Sequence, residues 1–330
     1  MDVKFMHNLT DALKVAGCSI GEDLIPVLYN SLIQLQSENH FESIYFWGRI
    51  VTLSNDYYIA YGYQKDPIKD RIFFYSQTIL EWDLIPTDLP INETDLVRKI
   101  KTKFNGNPRY VEIADKFNKS SGEPGVVRLT PSVLFNDEGA MEGGEEEYSR
   151  TKDSSRIKSV HLDEIVSSIT IGEETGESES VEDFSANKMI KEEDRLAISV
   201  KMIDNECHIA PRGFYYKLPD GNIVKAPYFK GLDYSEIGNE NNFLHISSHR
   251  WTPGKSKQRL DYNGSIDFLQ PIDKDIPKGC WTTRIVSNRY LIKHNLLWPG
   301  AVFLQDMNLG IHSFFYNGDG VKNLDLPFMI

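Results

Sequence analysis

Near residue 43 the hydrophobic period changes from about 3.6 to 2, and the stretch that follows carries aromatic residues on both faces. "SIYFWGRIVTL" (43–53) and "YYIAYGY" (57–63) are β-branched and aromatic, with "SND" between them, which predicts a hairpin near 43–63. Alternation puts Tyr45, Trp47, Arg49, Val51 and Leu53 on one face, and Ile44, Phe46, Gly48 and Ile50 on the other. Both faces are mostly apolar, so the hairpin has to be covered on both sides. Gly48 in mid-strand predicts a bulge or a close backbone approach.

The surrounding pattern says what covers it. Met6, Leu9, Leu13 and Ala16 recur at three- and four-residue steps, and Gly17 is the stop. Leu24, Val27, Leu28, Leu32 and Leu35 predict a second helix, with Pro26 in its first turn, where a missing N–H costs little. "RIFFYSQ" (71–77) predicts a third strand, and "EWDLIP" (81–86) a short extended piece. Residues 92–104 read as a further helix. At the other end, "WTTRIV", "YLIKHNLL", "AVFLQD" and "IHSFFY" are separated by short turn sequences and predict a meander over 281–316. Pro219-Asp220-Gly221-Asn222 is a turn signal. The fold class that follows is α+β: N-terminal helices with a mainly antiparallel β-sheet.

Between these ends the composition shifts. From about Gly122 to Glu193 the chain is rich in Gly, Ser and Glu and poor in aromatics, too apolar-poor to offset ordering entropy. The expectation is a long acidic, largely disordered insertion over 122–189, with its core at 137–188. It divides an N-terminal part, 1–121, from a β-rich C-terminal part, 190–330, which are expected to pack as one domain. Ser178 and Ser180, with acidic residues downstream, are candidate phosphorylation sites.

Charge and motif content narrow the function. A formal net charge of −12 disfavours nucleic acid and anionic membrane unless a basic patch is segregated. One basic cluster with an aromatic, Arg250, Trp251, Lys255, Lys257 and Arg259, is short and Pro-Gly interrupted, and reads as a solvated loop. No apolar run approaches the ~18 residues of a membrane span, and the first residues lack a secretory pattern. Cys18, Cys207 and Cys280 are far apart, which fits a reducing compartment rather than a disulfide framework. His245 and His249 stand at i and i+4 but without the glutamate of a zincin motif, so a chance pair outweighs a metal site. Nucleophile-elbow and P-loop patterns are absent. No catalytic, cofactor-binding or metal residue is assigned. The residues alone point to a binding or scaffold subunit. The alternative is a soluble enzyme or ligand-binding protein whose site is assembled from scattered residues such as His208, Arg212 and His312.

Eight stretches in order carry a more specific signal: "FWGRIVTLSNDYYIAYG" (46–62), "EWDLIP" (81–86), "FNGNPRY" (104–110), "IKEEDRLA" (190–197), "IAPRGFYYK" (209–217), "DIPKGCWT" (275–282), "LLWPGAVF" (296–303) and "KNLDLPFMI" (322–330). Together they resemble the radial spoke head proteins, the group of proteins 4, 6 and 9. The total length and the ending "NLDLPFMI" fit the shorter branch rather than the longer proteins 4 and 6. The resemblance implies a non-catalytic structural subunit of the radial spoke head in the axoneme of motile cilia and flagella, with no cofactor. Implied partners are protein 4- and 6-type head subunits, MORN-repeat head proteins, spoke-stalk proteins and, transiently, central-pair projections. The acidic insertion departs from the group, which is more compact there. On the motif positions, Trp47, Arg49, Asp56, Tyr57, Tyr58, Arg212, Trp298 and Pro299 are candidate interface residues, with core packing the alternative for each.

Overall fold

Amphipathic spacing near the start of the chain gives helices α1 (Met6–Val15) and α2 (Leu24–Glu38). Gly17, at φ +79°, ends the first, and the Cys18 amide reaches back to the Leu13 carbonyl. The structure is a computed structural model and describes residues 1–87, 91–114, 188–247 and 262–329. Strands β1 (Ser43–Ile50), β2 (Tyr57–Tyr63), β3 (Ile72–Ser76) and β4 (Asp83–Leu84) follow. Then come α3 (Ile91–Lys99), β5 (Val111–Ala114), β6 (Lys188–Lys191) and α4 (Glu192–Cys207). Three short strands, β7 (Ile209–Pro211), β8 (Tyr215–Lys217) and β9 (Ile223–Lys225), lead to β10 (Phe243–His245). The meander is β11 (Trp281–Val286), β12 (Tyr290–Asn295), β13 (Ala301–Asp306) and β14 (Ile311–Gly318).

Eight strands form one sheet in the order β11-β12-β13-β14-β1-β2-β3-β4. Every pairing in it is antiparallel except that of β1 with β14, which is parallel. The hairpin and the meander are where the sequence places them, and the fold is α+β as expected. Sequence patterning does not show that the two ends of the chain pair in parallel at the sheet centre.

Both faces of the sheet are covered. Met6, Leu9, Leu13, Leu28, Leu32 and Leu35 of α1 and α2 pack on Ile44, Phe46, Ala60, Val302, Leu304 and Phe315. On the opposite face, Leu196, Val200 and Ile203 of α4 pack with Trp47, Tyr57, Ile59, Phe303 and Tyr316. Each large side chain removed from water here contributes roughly 1.5–3 kcal/mol.

The alternation expected for β1 holds only as far as Trp47. Phe46 pairs with Ala60 and Gly48 with Ile59, so Trp47 is an extra residue opposite no partner. This bulge shifts the phase by one. Ile50 therefore joins the α4 face, and Arg49 lies beside Phe46, Ser19 and Leu24 on the α1–α2 face. The predicted helix at 92–104 is shorter, ending at Lys99. The chain leaves the described residues at Ala114 and returns at Lys188, which pair across β5 and β6. The expected insertion at 122–189, with Ser178 and Ser180, lies outside the described residues except for Lys188 and Met189, which open β6. Among the described residues no helix is long and apolar enough to cross a membrane.

Candidate functional site

Helix α4 runs across the sheet and puts acidic side chains where the rest of the chain needs acceptors. Asp204, on its inner face, is 3% exposed. Its carboxylate takes Arg71 at 2.7 Å, the Nδ1 of His208 at 2.7 Å and the indole N–H of Trp47 at 3.1 Å. Burial pushes this carboxyl up, and the charge of Arg71, with the hydrogen bonds from His208 and the Trp47 indole, outweighs it and holds it below the usual carboxylate range. Asp204 and His208 stand four residues apart, one helical turn. The His208 ring stacks on Phe314 at 4.6 Å.

At the other end of α4, Glu192 closes a loop. Its carboxylate accepts from the backbone N–H groups of Asn105, Gly106 and Asn107 at 2.8, 2.7 and 3.1 Å, and from the Tyr57 hydroxyl at 2.7 Å. Gly106 has φ +94°, and a Cβ there would sit 2.6 Å from the Asn55 nitrogen, so the loop is built around a glycine. One turn along α4, Arg195 pairs with Glu112 at 2.9 Å, both 3% exposed as side chains. Glu206 takes the Trp298 indole at 2.7 Å and Lys322 at 2.6 Å. Asp275 accepts from His245 and from the Trp281 indole, each at 2.9 Å.

The predicted interface residues divide by burial. Trp47, Tyr57 and Trp298 are buried within the chain, at 0, 0 and 1% exposure, and each donates to one of the α4 carboxylates. Core packing, stated beside the interface role, describes where these three sit. Arg49 and Asp56 pair with each other at 3.5 Å, and both are partly exposed. Arg49 also donates to Asn317 at 3.0 Å. Tyr58 is half-buried and Pro299 exposed. Arg212 makes a two-pronged contact with Asp267 at 2.6 and 2.8 Å.

The residues of the alternative site are only partly brought together. His208 and His312 line one cavity of about 500 Å3, with Tyr45, Tyr61, Phe214 and Tyr215 among its walls, whereas Arg212 does not line it. Of the histidine pair weighed for metal, His245 lies in strand β10 rather than a helix. His249 and the basic cluster at 249–259 lie outside the described residues. The carboxylates of α4 do not stand out in the sequence as a site. Their signal is acids at both ends of a helix whose middle is mostly apolar: Glu192 opens it, Asp204 and Glu206 stand near its end, and Leu196, Val200 and Ile203 lie between.

Both cavity histidines are held neutral. Burial pushes His208 down to about 4 and His312 down to about 3. A base that weak at neutral pH is badly matched to proton abstraction. It also makes stability depend on pH. An unfolded histidine titrates near 6.5, so between that value and the folded ones the unfolded chain binds more protons. The stabilisation is complete above about pH 6.5 and is lost as pH falls toward 4 and 3. Urea unfolding across that range should lose up to about 1.4 kcal/mol per pH unit for each histidine. His312→Leu should make the slope shallower. An unchanged slope would mean that His312 is not desolvated in the folded protein.

Comparison with known proteins bears on the whole chain. Residues 1–71 match the family model described as radial spokehead-like protein. Over 332 residues the chain is 27% identical to the radial spoke head protein 9 homolog of Bos taurus, covering all of both chains. It is 28% identical to the Homo sapiens homolog over 319 residues, covering 96% of this chain and 95% of that one. It is 25% identical to the Danio rerio homolog over the full length of both. The resemblance carried by the eight stretches is therefore borne out: the chain is similar to radial spoke head protein 9 from end to end.

Proposed function

From this end-to-end likeness we propose that the chain is a non-catalytic structural subunit of the radial spoke head in the axoneme of motile cilia and flagella. In this reading it helps relay mechanical signals between the central pair and the outer-doublet dyneins. Its neighbours are protein 4- and 6-type head subunits, MORN-repeat head proteins and spoke-stalk proteins, with transient contact to central-pair projections.

One observation carries the non-catalytic part. The stretches that resemble the family are spent on holding the chain together. Tyr57 of the hairpin stretch and the backbone of "FNGNPRY" meet on Glu192 of "IKEEDRLA". Trp298 of "LLWPGAVF" and Lys322 of the last stretch meet on Glu206. Asp275 and Trp281 of "DIPKGCWT" bond each other. Trp82 of "EWDLIP" donates to Ser31 of α2. An enzyme family would keep some of its shared residues for a substrate. A load-bearing part needs a stiff body, and charge-assisted pins tying distant segments to one helix make one. In this reading the exposed Pro299 and the partly exposed Arg49, Asp56 and Tyr58 are what remains for neighbours.

The test is to tag the endogenous protein, isolate salt-washed axonemes and identify by mass spectrometry what stays bound. Retention with the other spoke-head subunits is expected. A protein that leaves with the soluble fraction and brings none of them would overturn the reading.

A further inference from the structure

A small cleft where α3 meets α4 carries two buried polar atoms that the chain itself leaves unbonded. Arg195 and Ser199 stand one turn apart on α4 and both line the cleft, with Val97 and Arg98 of α3 and with Trp298 and Lys322. Arg195 is 3% exposed and Ser199 0%. Among the described residues, no protein group hydrogen-bonds to Arg195 Nε or to Ser199 Oγ. Buried polar atoms are normally paired, and an unpaired one costs its full desolvation.

The guanidinium cannot turn away to find a partner. Its Nη1 donates to Glu112 at 2.9 Å, its Nη2 donates to the Thr102 carbonyl, and its carbon lies 4.1 Å from the Phe104 ring centroid. The planar fork is thereby fixed, and Nε is the nitrogen that remains.

Size and charge select the occupant. The cleft leaves about 10 Å3 for the centre of a water-sized sphere, which is room for one water molecule and no larger group. An anion finds no uncompensated charge: Arg195 is paired with Glu112 at 2.9 Å, Lys322 with Glu206 at 2.6 Å and Arg98 with Asp95 at 3.2 Å. A cation would meet those three positive side chains at once. Water suits both atoms. Arg195 Nε–H can only donate, whereas the Ser199 hydroxyl donates and accepts, so one molecule can accept from the first and donate to the second.

We propose that this cleft binds a single ordered water molecule, bonded to Arg195 Nε and Ser199 Oγ, as a fixed component of the seam between α3, α4 and the segment around Lys322. With it in place, every nitrogen of the Arg195 guanidinium has an acceptor. The proposal is independent of the spoke-head reading.

The sign of one stability change tests it. In urea unfolding of the full chain, Ser199→Ala should lower the folding equilibrium constant about fivefold to tenfold, because a buried bond to the water is lost and Arg195 Nε is left without support. Without the water, the same substitution would delete an unbonded hydroxyl and put a better helix former in its place, so the constant would rise. Crystals of the full chain soaked in bromide separate water from a halide. A density peak roughly 2.7–3.2 Å from both atoms, with no anomalous bromide signal, is expected. A gain or no change in stability on Ser199→Ala, no peak between the two atoms, or a bromide signal at the site would overturn the proposal.

Discussion

Asp204→Ala should cost the protein roughly 3–5 kcal/mol, the usual penalty for leaving one partner of a buried ion pair behind. The group left behind is the guanidinium of Arg71, whose side chain is 9% exposed. Among the described residues no second carboxylate pairs with it: its other partners are the Ile68 carbonyl, the His208 ring and the faces of Tyr61 and Phe73. Trp47 and His208 lose their acceptor in the same step. Set against a total stability of about 5–15 kcal/mol, the loss should appear as low recovery of folded protein and a sharply lowered urea midpoint. Asp204→Asn separates charge from shape. It preserves an acceptor for Trp47 but not the countercharge, and should remain strongly destabilised. The paired replacement Arg71→Leu with Asp204→Leu should lie closer to wild type than Asp204→Leu alone, since removing both charges also removes their desolvation penalty. A single substitution costing less than about 1 kcal/mol would show that this network does not hold α4 to the sheet.

That network also marks where sequence reading stops. The hairpin was legible because alternation and β-branching are local signals, and so was the meander, whose turns are spelled by Gly, Pro and Asn. The need to cover both faces of the hairpin followed from its composition, and α1–α2 and α4 supply the cover. What could not be read were choices made across long separations. Trp47 and Asp204 are 157 residues apart in sequence, and Tyr57 and Glu192 are 135 apart. A carboxylate on a helix looks the same in sequence whether it faces water or a buried indole. The same limit applies to the candidate interface residues. Trp, Tyr and Arg are chosen alike for interfaces and for polar-tipped core positions, so composition could not separate Trp47, Tyr57 and Trp298, which are interior, from Tyr58 and Pro299, which reach the surface. His208 and His312 are far apart in sequence, and folding brings them to one cavity. Their neutrality depends on burial, which the sequence does not display.

Gly48→Ala should rank with the Asp204 substitution in its effect. Gly48 has φ +148°, and a Cβ built on it would lie 2.1 Å from the carbonyl oxygen of Tyr316 and 2.7 Å from its nitrogen. Those atoms are backbone, so no rotamer change relieves the clash. Tyr316 is also the register partner of Gly48 in the parallel pairing of β1 with β14. This pairing is what joins β11–β14 to β1–β4 in the sheet. A methyl group there has to push the two halves apart or undo the bulge at Trp47, and undoing the bulge would reverse the faces of Arg49 and Ile50. The expected cost is on the order of 4 kcal/mol, in the range reserved for backbone strain combined with a disrupted core. Gly213→Ala is the matched control. It has φ +84° with nothing within 4 Å of its Cβ position, so it carries the left-handed strain alone, about 1–2 kcal/mol. Urea unfolding of the two variants side by side isolates the close approach. Equal losses would mean that β1 and β14 are not in contact at this point, and the sheet would have to be divided there.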